Sequence, residues 1–345
     1  MITTERSLPT STMNRNRIIR MVMNYRASKI LLVAVHYDLF TLIHQGKQSV
    51  PQICETLKLD GRATTVLLNS LVSLGFLIKT STGYENIPSY EEFLVEGNPG
   101  YMGNNLKYQE FIWDAWSNLR EIIKKGKPEK SLTDWLQKKT FSKEYIKGMS
   151  NIAKGPAQEI AQLFDVNGVR KILDVGAGPG TYSLAFLTRY PFLKAFLLDL
   201  PSTIKIAQQF VALNSFKDRV YFIEGDYKKL DFGENLFDLV LMSHITHDEG
   251  TSVNKLLFKK AYQALRPGGK LIVHDFMTNQ ANTSPLFAAL FSVHMLTYTE
   301  RGMVYSTNDY RGWLKETGFS KIRRYNIGKG SSNASVALVA ARPFH

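Results

Sequence analysis

Ile172-Leu-Asp-Val-Gly-Ala-Gly-Pro-Gly180 decides the fold of this chain. A short apolar run ends in an acid and then in three glycines at alternate positions, with a helix predicted from near Thr181. The apolar run reads as a buried strand. Glycine after it lets the backbone turn sharply and approach a ligand with no Cβ in the way. Asp199 ends the next apolar run, 19 residues beyond Gly180, where an acid can accept hydrogen bonds from both hydroxyls of a ribose.

That much suits any adenosine-containing cofactor, and two details favour S-adenosylmethionine over NAD. The spacing is Gly-x-Gly-x-Gly with Pro179 inside, not Gly-x-Gly-x-x-Gly. Asp174, two residues before Gly176, would repel a pyrophosphate but suits the ammonium of a methionyl group. Gly225-Asp226 follows the third strand and places a second acid where an adenine edge can be read.

Outward from this loop, Lys171 to Val175, Ala195 to Asp199, Val220 to Glu224, Leu236 to Ser243 and Lys270 to Asp275 are short apolar runs with helical stretches between them. Arg266-Pro-Gly-Gly269 punctuates the last crossover. The alternation predicts an α/β, Rossmann-like, doubly wound sheet. Lys321 to Gly328 and Ala334 to Arg342 add a C-terminal antiparallel hairpin. Upstream, Ile18 to Phe40 carries Ile18, Met21, Val22, Tyr25, Ile30, Leu31 and Ala34 at helical spacing and reads as one or two buried helices. Val50 to Leu57, a break at Asp60-Gly61, Thr64 to Leu74 closed by Gly75, then Phe76 to Tyr84 as a hairpin give a mainly helical, winged-helix outline. Its second helix holds one basic residue, Arg62, so it would grip phosphates poorly. Tyr101 to Gly155 is mostly helical, with Trp113, Trp116, Leu119 and Ile123 as an apolar stripe and a break at Lys124 to Pro128.

The predicted domains are a flexible arm at 1–16, a winged-helix-like dimerisation domain at 17–100, a helical linker and acceptor-pocket segment at 101–155, and a cofactor-binding catalytic domain at 156–345. Net charge is +13, from 43 basic and 30 acidic residues. Arg15 to Lys29 is basic without an acid, but no aromatic-plus-basic nucleic-acid motif goes with it, so solvated helix faces are the expectation and nucleic acid is not an expected partner. No apolar run approaches a membrane span, the N-terminus has no signal-peptide core, and Cys54 is the sole cysteine, which leaves no disulfide and no thiolate metal cage. A cytoplasmic enzyme without a metal is the expectation.

Asp174-Val-Gly-Ala-Gly-Pro-Gly180, Asp199-Leu-Pro201, Gly225-Asp226, His247-Asp248 and Leu265-Arg-Pro-Gly-Gly269 occur in an order that resembles the class I small-molecule O-methyltransferases. These include plant phenolic, acetylserotonin and bacterial natural-product enzymes. The resemblance covers nearly the whole chain and implies a homodimer through the N-terminal domain. It implies that Asp199 binds the ribose, that Asp226 lies by the adenine and that the glycine loop faces the methionyl end. Leu200, Tyr227 and Ser243 complete the candidate cofactor set. Counting back from Pro267, the family's catalytic histidine falls on His247, and the acid that pairs with it after strand five falls on Asp275. A histidine titrating near neutrality suits removal of a hydroxyl proton. Thr246 and Glu249 have capping-box spacing, which predicts His247 in a first helical turn just beyond strand four.

Two positions depart from the family. Glu249 stands where tryptophan often follows His-Asp, and Gly302-Met-Val-Tyr305 lacks the second acid that plant members carry there. His244 is an alternative base. Phe276, Met277, Phe287, Phe291, Met295 and Met303, with Trp113 and Tyr108 opposite, suit a flat apolar acceptor. Of these, Trp113, Phe287, Phe291 and Met295 are the candidate substrate contacts. The expected reaction is O-methylation of a small hydroxylated acceptor, aromatic or polyketide-like. C-methylation on the same fold, a winged-helix DNA-binding regulator and an NAD-dependent oxidoreductase are the alternatives.

Overall fold

The computed structural model describes residues 11–131, 134–135, 139–164, 166 and 168–344. The chain divides into two compact units, residues 1–111 and 112–345, so the stretch 101–155 is shared between them.

In the first unit the helices are α1 (Ser11–His36), α2 (Leu39–His44), α3 (Val50–Leu57), α4 (Gly61–Ser73) and α5 (Pro88–Leu94), with a two-stranded hairpin, β1 (Leu77–Lys79) and β2 (Tyr84–Asn86), after α4. Local chemistry sets these limits. Ser49 and Gln52 form a capping box at the start of α3, and Asp60 accepts from the Ala63 N–H at 2.8 Å to open α4. Ala34, Leu39, Phe40, Ile53, Leu68 and Leu71 make the core. Of the predicted arm, residues 1–10 lie outside the described residues and residues 11–16 begin α1. The first half of α1 is not buried as its periodicity suggested. Ile18, Met21, Val22 and Tyr25 are 63, 67, 63 and 54 % exposed, because no part of the described chain covers this face.

The second unit is a seven-stranded sheet with helices on both faces. Its strands are β3 (Lys171–Val175), β4 (Lys194–Asp199), β5 (Val220–Glu224), β6 (Phe237–Ser243), β7 (Leu265–Asp275), β8 (Ser320–Ile327) and β9 (Ser335–Ala341), in the order β5-β4-β3-β6-β7-β9-β8. All pairs from β5 to β7 are parallel, and β9 joins β7 and β8 antiparallel. Period-two alternation turns Ile172, Leu239, Leu241 and Ile272 to one face, against Ile160, Tyr182 and Phe186. Leu173, Val240, Met242 and Val273 face the other way, onto Leu257, Phe258 and Leu314. These apolar residues lie on α8 (Lys139–Leu163), α9 (Thr181–Arg189), α11 (Thr251–Ala264) and α13 (Thr307–Thr317). In the chain α6 (Gly103–Ser117), which spans the division between the units, and α7 (Leu119–Lys125) precede them, and α10 (Pro201–Ala212) and α12 (Leu286–Leu296) come between them.

Arg266 to Gly269 is not a turn ahead of the strand but an irregularity inside β7. Leu265 already pairs with Phe237, and regular pairing resumes at Leu239 with Lys270. Gly268 takes a φ of +80° to carry the extra residues. The stripe on α6 and α7 is also offset. Ile112, Ala115 and Ile122 are buried, whereas Trp116 and Ile123 are exposed.

Candidate active site

Connections leave β3 in one direction through β4 to β5, then return to its other side with β6. A crevice opens at such a reversal, outside the carboxyl ends of the strands. Gly176, Gly178 and Gly180 lie there, between β3 and α9, with φ of +65°, +53° and +81°. A Cβ on Gly176 would meet Ile245 at 2.5 Å, so that glycine permits packing. A Cβ on Gly178 would meet nothing within 4 Å, so this glycine faces open space.

Asp199, at the end of β4, ties the crevice together. Its Oδ2 accepts the Gly178 N–H at 2.8 Å and its Oδ1 the Leu200 N–H at 2.7 Å. Burial raises its pKa against these hydrogen bonds. The Gly225 N–H donates to the Asp199 carbonyl at 2.9 Å, which brings Gly225 and Asp226 beside it. Asp226 accepts from the Lys228 N–H, and Tyr227 donates to Glu249 Oε1 at 2.9 Å. Asp174 is buried and accepts from Ser183 Oγ at 2.7 Å. Burial, with the nearby Asp199 charge, pushes its pKa up to about 7. The Tyr182 hydroxyl is buried near Ser243 and has no well-formed hydrogen bond among the described residues. Ser243, at the end of β6, bonds His274 Nδ1 at 2.9 Å, and His274 Nε2 lies 2.7 Å from Ser335 Oγ.

A second cluster lies at the ends of β6 and β7. His247 sits in a short 3-10 turn, Thr246–Asp248, and α11 starts only at Thr251. The predicted capping box therefore does not form. Thr246 Oγ1 donates to Asp275 Oδ2 at 2.5 Å instead, and Glu249 is engaged by Tyr227 and Lys228. His247 Nδ1 donates to Asp275 Oδ1 at 2.5 Å, and its backbone N–H reaches Oδ2 at 3.1 Å. The Phe276 N–H donates to Oδ1 at 2.8 Å, and the Tyr310 hydroxyl lies 2.7 Å from Thr246 Oγ1 and 3.4 Å from Oδ2. Asp275, fully buried, is held on every side. His247 Nε2 is 3.7 Å from Asp248 Oδ1.

Burial alone would lower the His247 pKa. The Asp275 and Asp248 carboxylates outweigh burial and hold it up at about 9. Burial raises Asp275, but the His247 charge, with hydrogen bonds from His244 and His247, takes it far below the usual carboxylate range. Asp248 rises to about 6, chiefly through burial.

Around His247 the expected aromatic lining is partly present. The Phe291 ring meets His247 edge-on at 5.0 Å, and Phe276 lies 4.8 Å from both Phe287 and Phe291. Met295 is fully buried and Met277 joins the sheet core, so neither presents surface to an acceptor. Met303 is 38 % exposed. Gly302 lies against His247, since a Cβ there would sit 2.4 Å from its carbonyl oxygen. Trp113 is half-buried on α6. One turn on, Trp116 Nε1 donates to His294 Nδ1 at 3.0 Å, with the two rings stacked. Burial and the His247 charge push His294 down to about 3, so this imidazole is neutral. Tyr108 is buried in the first unit. Sequence spacing did not identify the roles of Thr246, Tyr310, His294 or Trp116. Their contacts span 29 to 178 positions, which no local pattern encodes.

Residues 116–320, more than half of the chain, match the O-methyltransferase domain, and residues 19–95 match the O-methyltransferase dimerisation domain. The 3-hydroxy-5-methyl-1-naphthoate 3-O-methyltransferase of Streptomyces sahachiroi is 26 % identical over 322 residues, 91 % of this chain and 92 % of that protein. The L-tyrosine C(3)-methyltransferase of Streptomyces lavendulae is 26 % identical over 310 residues, 85 % of this chain and 84 % of that protein. The structure of human N-acetylserotonin methyltransferase with S-adenosylmethionine superposes with a TM-score of 0.85 at 20 % identity, covering 99 % of this chain and all of that one.

Proposed function

The chain belongs to the O-methyltransferase family and is an S-adenosylmethionine-dependent methyltransferase; on that premise we propose that it methylates a hydroxyl of a small aromatic or polyketide-like natural product, with His247 as general base. The observation that carries this reading is the His247–Asp275 pair, 2.5 Å apart, between the glycine crevice and the Phe276–Phe287–Phe291 cluster.

The residues in the crevice fit the cofactor. Gly178 leaves room for it, Asp199 has lone pairs left for a ribose diol, and the buried, charge-crowded Asp174 suits an ammonium. The buried Tyr182 hydroxyl adds a polar group for the same end. Leu200, Gly225, Asp226, Tyr227 and Ser243 would frame the remainder. When bound, the cofactor supplies a methyl group on a sulfonium, which the acceptor oxygen attacks in line.

In this reading His247 Nε2 takes the hydroxyl proton while Nδ1–H stays on Asp275. The carboxylate fixes the tautomer and stabilises the imidazolium as it forms. Thr246, Tyr310 and the Phe276 N–H position that carboxylate. Phe291 and Phe287 hold a flat acceptor and keep water from the reacting atoms, with Trp113 as a further contact. The dimerisation domain and the exposed apolar face of α1 support a homodimer. C-methylation is the second reading, favoured by similarity to the L-tyrosine C(3)-methyltransferase. A panel of phenols, naphthols and polyketide hydroxyls with methyl-labelled cofactor tests both, with NMR locating the new methyl. A carbon-bound product, or full turnover in His247→Ala with a competent acceptor, overturns the base assignment.

A further inference from the structure

His244, His247 and Asp275 bring one donor atom each within 4.8 Å of one another. Catalysis as proposed uses only one of these two imidazoles. The other, His244, has Nδ1 3.6 Å from the same Asp275 Oδ1 that receives His247. Its backbone lies in the left-handed region, at a φ of 55°, which is unusual for a residue bearing a side chain and concentrates at functional sites. Its ring is wedged edge-on against His274 at 4.5 Å and tilted on Phe276 at 4.7 Å. His274 has both ring nitrogens engaged by Ser243 and Ser335, so it acts as a wall and not as a donor. The His244 side chain is 26 % exposed, against 7 % for His247 and 0 % for Asp275, so it gives access from solvent.

Two imidazole nitrogens and a carboxylate oxygen are a donor set that borderline transition ions favour. Zinc bonds of roughly 2.0–2.2 Å in a tetrahedral shell place neighbouring donors about 3.3–3.5 Å apart. The His244–Asp275 separation nearly meets this; His247 has to withdraw from Asp275 by under about 1 Å, and the two imidazole donors, within 4.8 Å of each other, have to close by up to roughly 1.5 Å. We propose that His244, His247 and Asp275 form a site for one divalent transition-metal ion of the zinc class, and that its occupation silences the transferase. The ion takes the place of the Nδ1 proton of His247: from the imidazolium that proton leaves to solvent and the Nε2 proton stays, and from the neutral ring the proton passes from Nδ1 to Nε2. The ring then has no free lone pair for an acceptor hydroxyl. Silencing rests on His247 being the base; ion binding does not.

Zn2+ alone is titrated calorimetrically into the metal-free full chain. One ion per chain is expected, weakened at least tenfold in His244→Gln and in Asp275→Asn, and unchanged in His44→Gln, whose imidazole pairs with Glu91 elsewhere. Cu2+ electron paramagnetic resonance on the unaltered chain adds a readout that needs no variant, with two nitrogen donors expected. No binding at millimolar Zn2+, binding indifferent to His244→Gln, or fewer than two nitrogens overturns the site. Turnover that persists with the ion bound removes the silencing. Full turnover in His247→Ala removes the base assignment and leaves ion binding standing.

Discussion

Replacing Asp275 by Asn removes one negative charge from a fully buried position while keeping its shape. An amide oxygen can still accept Nδ1–H of His247, so the tautomer is retained and the change is mainly electrostatic. In the intact chain the His247 imidazole is held at about 9, against an ordinary 6.5. At 1.36 kcal/mol per decade that gap corresponds to about 3 kcal/mol favouring the folded, protonated pair. Because the folded value is raised, this stability is fully present below pH 6.5 and is lost as pH rises through 9. The depressed Asp275 acts in the opposite sense, contributing above the ordinary carboxylate range and losing its contribution in acid. Asp275→Asn is therefore expected to lower urea stability by about 3 kcal/mol at pH 6 and by clearly less at pH 9.5. The acid limb of kcat/KM, near pH 9 in the parent, moves below 6.5 in the variant as burial takes over. Its plateau falls by about 10²–10⁴ with the lost support for the imidazolium. A stability loss equal at both pH values, or a limb that stays in place, refutes the coupling.

Asp199→Ala is expected to raise the calorimetric Kd for S-adenosylhomocysteine by about 100-fold or more, because each hydrogen bond to a charged group contributes about 1.5–3 kcal/mol; a change under threefold removes Asp199 from the ribose site. Gly178→Val forces a branched side chain to a φ of +53° and fills the open space before the loop, so cofactor affinity collapses while Tm falls only a few degrees. Unaltered affinity would mean that the ligand lies elsewhere. Phe291→Ala strips the edge contact from His247 and should raise the acceptor KM more than tenfold while the cofactor Kd stays put. Equal effects on both would make Phe291 a packing residue.

The sheet was legible because its strands are short apolar runs closed by acids and glycines, and β3 and β5 fall on the predicted residues. The pairing of His247 with Asp275 was legible from the resemblance to the family, which places the histidine just beyond one strand and the acid at the end of the next. Spacing gave no hint that Tyr310 and Thr246 would fix the carboxylate, because α13 reaches it through tertiary packing. Thr246 and Glu249 look like a cap in sequence, but a buried carboxylate is a stronger partner for the hydroxyl than the end of a short turn. The apolar face of α1 was misread for another reason. Periodicity reports that a face is apolar, not whether the same chain buries it.

The position of β9 has a consequence for how the molecule matures. Asp275 ends β7, whose outer edge is paired by β9 through His274 with Ala337 and Asp275 with Val336. On the ribosome, β7 is synthesised some sixty residues before that partner, and until then it presents an unpaired apolar edge. Exposed edges of this kind recruit other chains. A product truncated within β8 or β9 should accordingly aggregate instead of accumulating as a soluble, weakened enzyme.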